Sequence, residues 1–140
     1  MKTAILFIDD DATILDAISP NIRLAVRGRV TTVRDLQSVA EVQDYLSSAD
    51  VAVPVLAIVD LWLNDFETNT ADQEGGAKVI DLLRKKYEKL RLIVFSAHLN
   101  RARKQELRDA YAGIAILGKG DGSLDRLLAE IDRALSEQGL

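Results

Sequence analysis

The sequence predicts an α/β fold: a parallel sheet wound on both faces by helices. Three observations predict it. Short apolar runs alternate with longer amphipathic stretches, five of each along the chain. Four of those five runs are continuously apolar, as strands are when both faces of a sheet are covered. The length of 140 residues, 48% apolar and 29% charged, suits one folded domain and excludes a disordered chain.

Ala4–Ile8 reads as the first strand by its length and its apolar, partly β-branched composition. Leu15, Ile18, Ile22 and Val26 follow at helical spacing over residues 13–26. Pro20 sits inside that pattern. It removes a backbone donor and crowds the preceding turn, so a kink or a break is expected there. Gly28 ends the segment, and the more polar Val30–Val33 is the second strand, at an edge. Residues 36–49 read as the second helix, with Leu36, Val39, Ala40 and Leu46 inward. Ser38 and Glu41 have capping-box spacing, and Asp35 is the other candidate cap.

Val55–Val59 is the third strand, followed by a long polar loop over 61–74. Gly75 and Gly76 open a third helix with Ile80, Leu83 and Tyr87 on one face. Leu92–Phe95 is the fourth strand, 100–111 the fourth helix and Ile114–Leu117 the fifth strand. The last helix covers 124–137, with Leu124, Leu127, Leu128, Ile131 and Leu135 as its apolar stripe. No repeat or linker interrupts the pattern, so residues 1–140 read as a single domain.

Composition excludes several function classes. There is no cysteine, hence no disulfide framework, thiolate metal site or thiol nucleophile. With 18 Lys and Arg against 22 Asp and Glu, the net charge of −4 argues against non-specific nucleic-acid binding. The longest apolar stretch, Val51–Val59, has nine residues; a membrane helix needs about 20. The N-terminus lacks the pattern of a signal peptide. A cytoplasmic protein without membrane contact is expected.

In a wound parallel sheet, ligands sit beyond the carboxyl ends of the strands. Asp9, Asp10 and Asp11 follow the first strand, Asp60 the third, Ser96 the fourth, and Lys119 the fifth after Gly118. Two like charges 4 Å apart repel by about 4 kcal/mol at an effective dielectric near 20. One lysine does not balance Asp9, Asp10 and Asp60, so the rim calls for a further cation. Carboxylate oxygens select Mg²⁺, Mn²⁺ or Ca²⁺. A metal beside a carboxylate, an ammonium and a hydroxyl makes a site for a phosphoryl group, with the carboxylate as a candidate nucleophile. The rim excludes a dinucleotide site, whose pyrophosphate three acids would repel. No P-loop is present, and no nucleophile elbow surrounds any serine.

With Phe7-Ile8-Asp9-Asp10-Asp11, Ile58-Val59-Asp60, Val94-Phe95-Ser96-Ala97 and Lys119, the chain resembles the receiver domain of two-component response regulators over essentially its whole length. The resemblance implies a flavodoxin-like sheet in order 2-1-3-4-5 with five helices. It implies that Asp60 is the phosphoacceptor, that Asp10 binds Mg²⁺ directly with Asp9 assisting, and that the Trp62 carbonyl is a further ligand. Ser96 senses the phosphoryl group and Lys119 pairs with it. The implied partners are a sensor histidine kinase or phosphotransfer protein, and a downstream effector reached through the fourth helix, fifth strand and fifth helix. A homodimer is left open. Trp62 and His98 fall where side chains govern water access, and the bulk of Trp62 is expected to slow hydrolysis.

Three departures stand out. Gly120 follows Lys119 where the family has a cis-proline, so a trans Lys119–Gly120 peptide is expected. Ile116 replaces the aromatic residue that swings in the family's switch. The loop 61–74 is longer than usual and carries Asp65, Glu67, Asp72 and Glu74 without a basic residue after Asn64. The basic run Arg101, Arg103, Lys104 and Arg108 reads as a solvated helix face paired with Glu106 and Asp109.

Two other functions compete with a phosphorylated signalling module that turns over no substrate. A pseudo-receiver would use the same fold for protein binding alone, and Ile116 and Gly120 favour it. A Mg²⁺-dependent phosphohydrolase of the haloacid-dehalogenase type would need a second aspartate two residues after Asp60, where Trp62 stands. The chain ends just after the fifth helix, so any output belongs to a separate effector or to a longer chain.

Overall fold

Five parallel strands pair in the order β2-β1-β3-β4-β5 in the computed structural model. It describes residues 2–49, 51–63, 75–97 and 99–140. The strands are β1 (Thr3–Ile8), β2 (Thr32–Leu36), β3 (Val53–Val59), β4 (Arg91–Ser96) and β5 (Ala115–Gly118). The helices are α1 (Ala12–Ala25), α2 (Val39–Ser47), α3 (Gly75–Lys86), α4 (Arg101–Ala110) and α5 (Ser123–Ser136). The acidic stretch 64–74 and His98 lie outside the described residues, so the readings placed on them stay expectations.

Side-chain alternation along the strands builds two cores. Ile5, Phe7, Leu56, Ile58, Ile93 and Phe95 face α1 and α5, meeting Leu15, Ile22, Leu127 and Ile131. Leu6, Ile8, Ala57, Val59, Leu92 and Val94 face α2, α3 and α4, meeting Val42, Tyr45, Ile80, Leu83 and Leu107. With both faces covered, the central strands contain almost nothing polar. No helix among the described residues is long and apolar enough to cross a membrane.

Element positions correct the sequence reading in three places. The second strand begins two residues later than expected and runs through Leu36, so Leu36 belongs to β2 and not to the second helix. That helix starts after Ser38, whose Oγ accepts the Glu41 N–H at 3.1 Å. Ser38 is therefore the cap, and Asp35 lies within β2. The buried face of α2 is Val39, Val42 and Tyr45, while Ala40 points to solvent.

Pro20 does not break α1, which continues through it. Contacts on both sides offset the lost hydrogen bond. Leu15 and Ile22 are in the core, and the buried Ser19 donates its hydroxyl to Asp35 on β2. The Asn21 side chain donates to the Ala17 carbonyl at 3.0 Å.

Candidate functional site

Because all five strands run the same way, their carboxyl ends share one edge of the sheet. Ile8, Val59 and Val94 are in register across β1, β3 and β4, and Ser96 is in register with Gly118 of β5. The backbone holds this register beyond the strands. The Asp9 N–H donates to the Leu36 carbonyl at 3.0 Å, the Asp60 N–H to the Ile8 carbonyl at 2.9 Å, and the Lys119 N–H to the Ser96 carbonyl at 3.2 Å. Residues separated by as many as 110 positions thus meet at one rim.

The acidic run after β1 divides its work. Asp11 caps α1, its Oδ1 accepting the Thr13 N–H at 2.9 Å. Asp9 turns into the sheet edge, with its side chain fully buried, and accepts the Asp11 N–H at 2.9 Å. Asp10 stays exposed at the rim.

Asp60 is the centre of the arrangement. Its Oδ1 accepts from the Ser96 hydroxyl at 2.7 Å and from the Trp62 N–H at 3.1 Å. Its Oδ2 accepts from Lys119 Nζ at 3.0 Å. The same ammonium donates to Asp9 Oδ2 at 2.7 Å. Lys119 reaches both acids although Gly120 stands after it, and the peptide between them is trans, as expected. These two contacts hold the Lys119 side chain at the rim, 19% exposed. The Trp62 side chain is 43% exposed, between the buried Leu61 and Leu63.

Lys119 pairs with Asp9 and Asp60, and Asp10 lies beside them. One oxygen from each of Asp9, Asp10 and Asp60 lies within 4.8 Å of the others. Burial pushes the Asp9 carboxyl above its ordinary range, against the opposing hydrogen bonds from Lys119 and the Asp11 N–H. Burial pulls the Lys119 ammonium down. Its hydrogen bond to Asp9 and the charges of Asp60 and Asp9 outweigh that, so its net shift is upward. Lys119 is therefore a fixed positive charge at neutral pH. The three carboxylates offer hard oxygen donors close together, and such a donor set fits a divalent cation such as Mg²⁺, Mn²⁺ or Ca²⁺.

Sequence reasoning brought together Asp9, Asp10, Asp60, Ser96 and Lys119, and the structure places them at one rim. Asp9, expected to assist at the metal, also accepts from Lys119 at 2.7 Å, against 3.0 Å for Asp60. Sequence reasoning read Gly75 and Gly76 as no more than a helix start. Their buried positions lie directly against the backbone of residues 60–63.

No protein-family model and no curated protein matches the chain. Solved structures do. A CheY-like response regulator receiver domain protein from Methanospirillum hungatei is 21% identical at a TM-score of 0.72, over 99% of this chain and 98% of that one. The receiver domain of Francisella response regulator 1452 is 18% identical at a TM-score of 0.70, over 96% of this chain and 98% of that one. The BeF3-activated receiver domain of DrrB, a Thermotoga maritima protein, is 16% identical at a TM-score of 0.68, over 97% and 99%. The strand order, the five covering helices and these likenesses agree: the chain has the fold of the response regulator receiver domains.

Proposed function

We propose that this chain is a phosphoacceptor receiver of a two-component phosphorelay, taking a phosphoryl group onto Asp60. The observation that supports this reading is the convergence on one carboxylate of Ser96, Lys119 and the Trp62 N–H beside two further acids. An oxygen of Asp60 attacks the phosphorus of a phosphohistidine on a sensor kinase or phosphotransfer protein. The new O–P bond forms as the N–P bond breaks. The electron pair stays with the imidazole nitrogen, which takes up a proton from solvent.

Lys119 balances charge on the transferred group, and Ser96 donates to one of its oxygens. Asp9, Asp10, Asp60 and the Trp62 carbonyl would hold Mg²⁺, which when bound offsets the charge of acids and phosphoryl oxygens. The acyl phosphate then alters the surface that a downstream effector reads. A cytoplasmic location and a signalling role without substrate turnover go with this reading.

Ile116 favours a second reading. It is partly buried against the core beneath α2–α4, and it offers no aromatic ring to swing. A pseudo-receiver would keep the rim and bind partners without phosphorylation. The phosphohydrolase is disfavoured by Trp62, which supplies no general acid beside Asp60.

Intact-mass measurement separates the two readings. With acetyl phosphate and Mg²⁺, the full chain should gain one phosphoryl group, and Asp60→Asn should gain none. A wild-type chain without adduct at saturating donor would favour the pseudo-receiver.

A further inference from the structure

Two glycines open α3 at a place where no unusual backbone angle requires them. The positive-φ glycines are Gly28, Gly113, Gly122 and Gly139, and neither Gly75 nor Gly76 is among them. What requires them is proximity. A Cβ on Gly76 would stand 2.3 Å from the Asp60 carbonyl oxygen and 2.5 Å from Leu61 Cα. On Gly75 it would stand 2.5 Å from the Leu63 carbonyl oxygen. These nearest atoms are backbone, so no side chain can rotate away to make room. Gly118 and Gly120, which flank Lys119, meet nothing within 4 Å. The contact is also bonded: the Gly76 N–H donates to the Leu61 carbonyl at 3.1 Å.

The segment pressed by α3 aims the central carboxylate. Within it, the Trp62 N–H donates to Asp60 Oδ1, fixing one oxygen toward Ser96 and the other toward Lys119. We propose that Gly76, with Gly75 behind it, is a positioning residue for Asp60. The missing side chain lets the first turn of α3 clamp the 60–62 turn, and the clamp holds the carboxylate in its attacking orientation. This rests on Asp60 being the phosphoacceptor. It adds a residue outside the rim that sets how well the rim works. Displacement of a reacting group by about 1 Å costs up to on the order of a hundredfold in rate.

The test compares Gly76→Ala with Leu83→Ala in the full chain. Leu83 is buried in the same helix, and its truncation leaves a cavity without adding any atom at the 60–62 turn. Per folded molecule, Gly76→Ala should take phosphate from acetyl phosphate about 10- to 100-fold more slowly. Leu83→Ala should melt lower and keep the wild-type rate. Gly75→Ala should show a smaller loss than Gly76→Ala.

A second readout needs neither metal nor donor. The Trp62 backbone amide proton resonance should move upfield in Gly76→Ala as its bond to Asp60 loosens, and stay in place in Leu83→Ala. A folded Gly76→Ala with an unmoved Trp62 amide overturns the proposal, and so does a wild-type rate. If neither glycine variant folds, the pair serves the fold alone and the proposal is likewise overturned. A wild-type chain that takes no phosphate removes the phosphoacceptor reading, and with it the rate effect, while the amide shift would still report whether α3 clamps the turn.

Discussion

The Ser96 hydroxyl donates to Asp60 Oδ1 at 2.7 Å, and both residues are buried. In the unmodified chain this is the closer of the hydroxyl's two contacts, the Ala97 carbonyl standing at 3.4 Å. A hydrogen bond to a charged group contributes about 1.5–3 kcal/mol. The Trp62 N–H shares the same oxygen and would keep part of that. Ser96→Ala should therefore lower stability in urea by about 1.5 kcal/mol, and Ser96→Thr should restore most of it. A Ser96→Ala chain as stable as wild type would mean that the Trp62 amide alone satisfies Asp60 Oδ1.

The carboxylate rim predicts a response to Mg²⁺. Three acid oxygens lie within 4.8 Å of one another, Lys119 pairs with two of these acids, Asp9 and Asp60, and the folded chain alone assembles them. At a hundred times its dissociation constant, a ligand of the native state adds about 2.7 kcal/mol. For a chain of this size that is a rise of about 8–10 °C in melting temperature. Asp10→Asn should lose most of the gain. An unchanged gain in that variant would place the ion elsewhere.

How much of this was legible follows from where each signal resides. The sheet and its rim were legible because a parallel sheet writes its interior as apolar runs and its ligand edge as the residue after each run. That pattern found Asp9, Asp10, Asp60, Ser96 and Lys119 without any contact information. The second strand was misplaced because Leu36 lies at helical spacing from Val39, which hid its place on the core face of β2 beside Tyr45. Pro20 marked a local cost that tertiary packing on both sides absorbs. Gly75 and Gly76 signalled a helix start, but the closeness of another backbone segment is a tertiary fact that adjacent letters do not encode.

Pro20 itself yields a stability prediction. It lies in the middle of α1 on the exposed side, where it cannot donate to the Asp16 carbonyl. Replacing it with alanine supplies that donor and removes the ring, and it also frees the unfolded chain by about 0.4–1 kcal/mol. The net expectation for Pro20→Ala is a gain of about 1–2 kcal/mol in urea unfolding. A loss instead would show that the bond from Ser19 to Asp35 depends on the backbone shape the proline imposes.

Tyr111 predicts an alkaline limb in the stability profile. Its hydroxyl donates to Asp81 Oδ1 at 2.8 Å, joining the end of α4 to α3. Burial, the hydrogen bond to Asp81 and the Asp81 charge push its pKa up to about 12 from 10.0, with Arg103 opposing. The folded chain therefore holds this proton more tightly than the unfolded one. The contribution is complete below pH 10 and disappears as pH rises toward 12. Solvent screening at this half-exposed site limits it to about 1 kcal/mol. Tyr111→Phe keeps the ring and removes the proton, so between pH 10 and 12 its stability should fall less steeply than that of wild type. Parallel slopes for the two chains, measured by urea unfolding across that window, would show that the link to Asp81 does not bind the proton preferentially in the folded state.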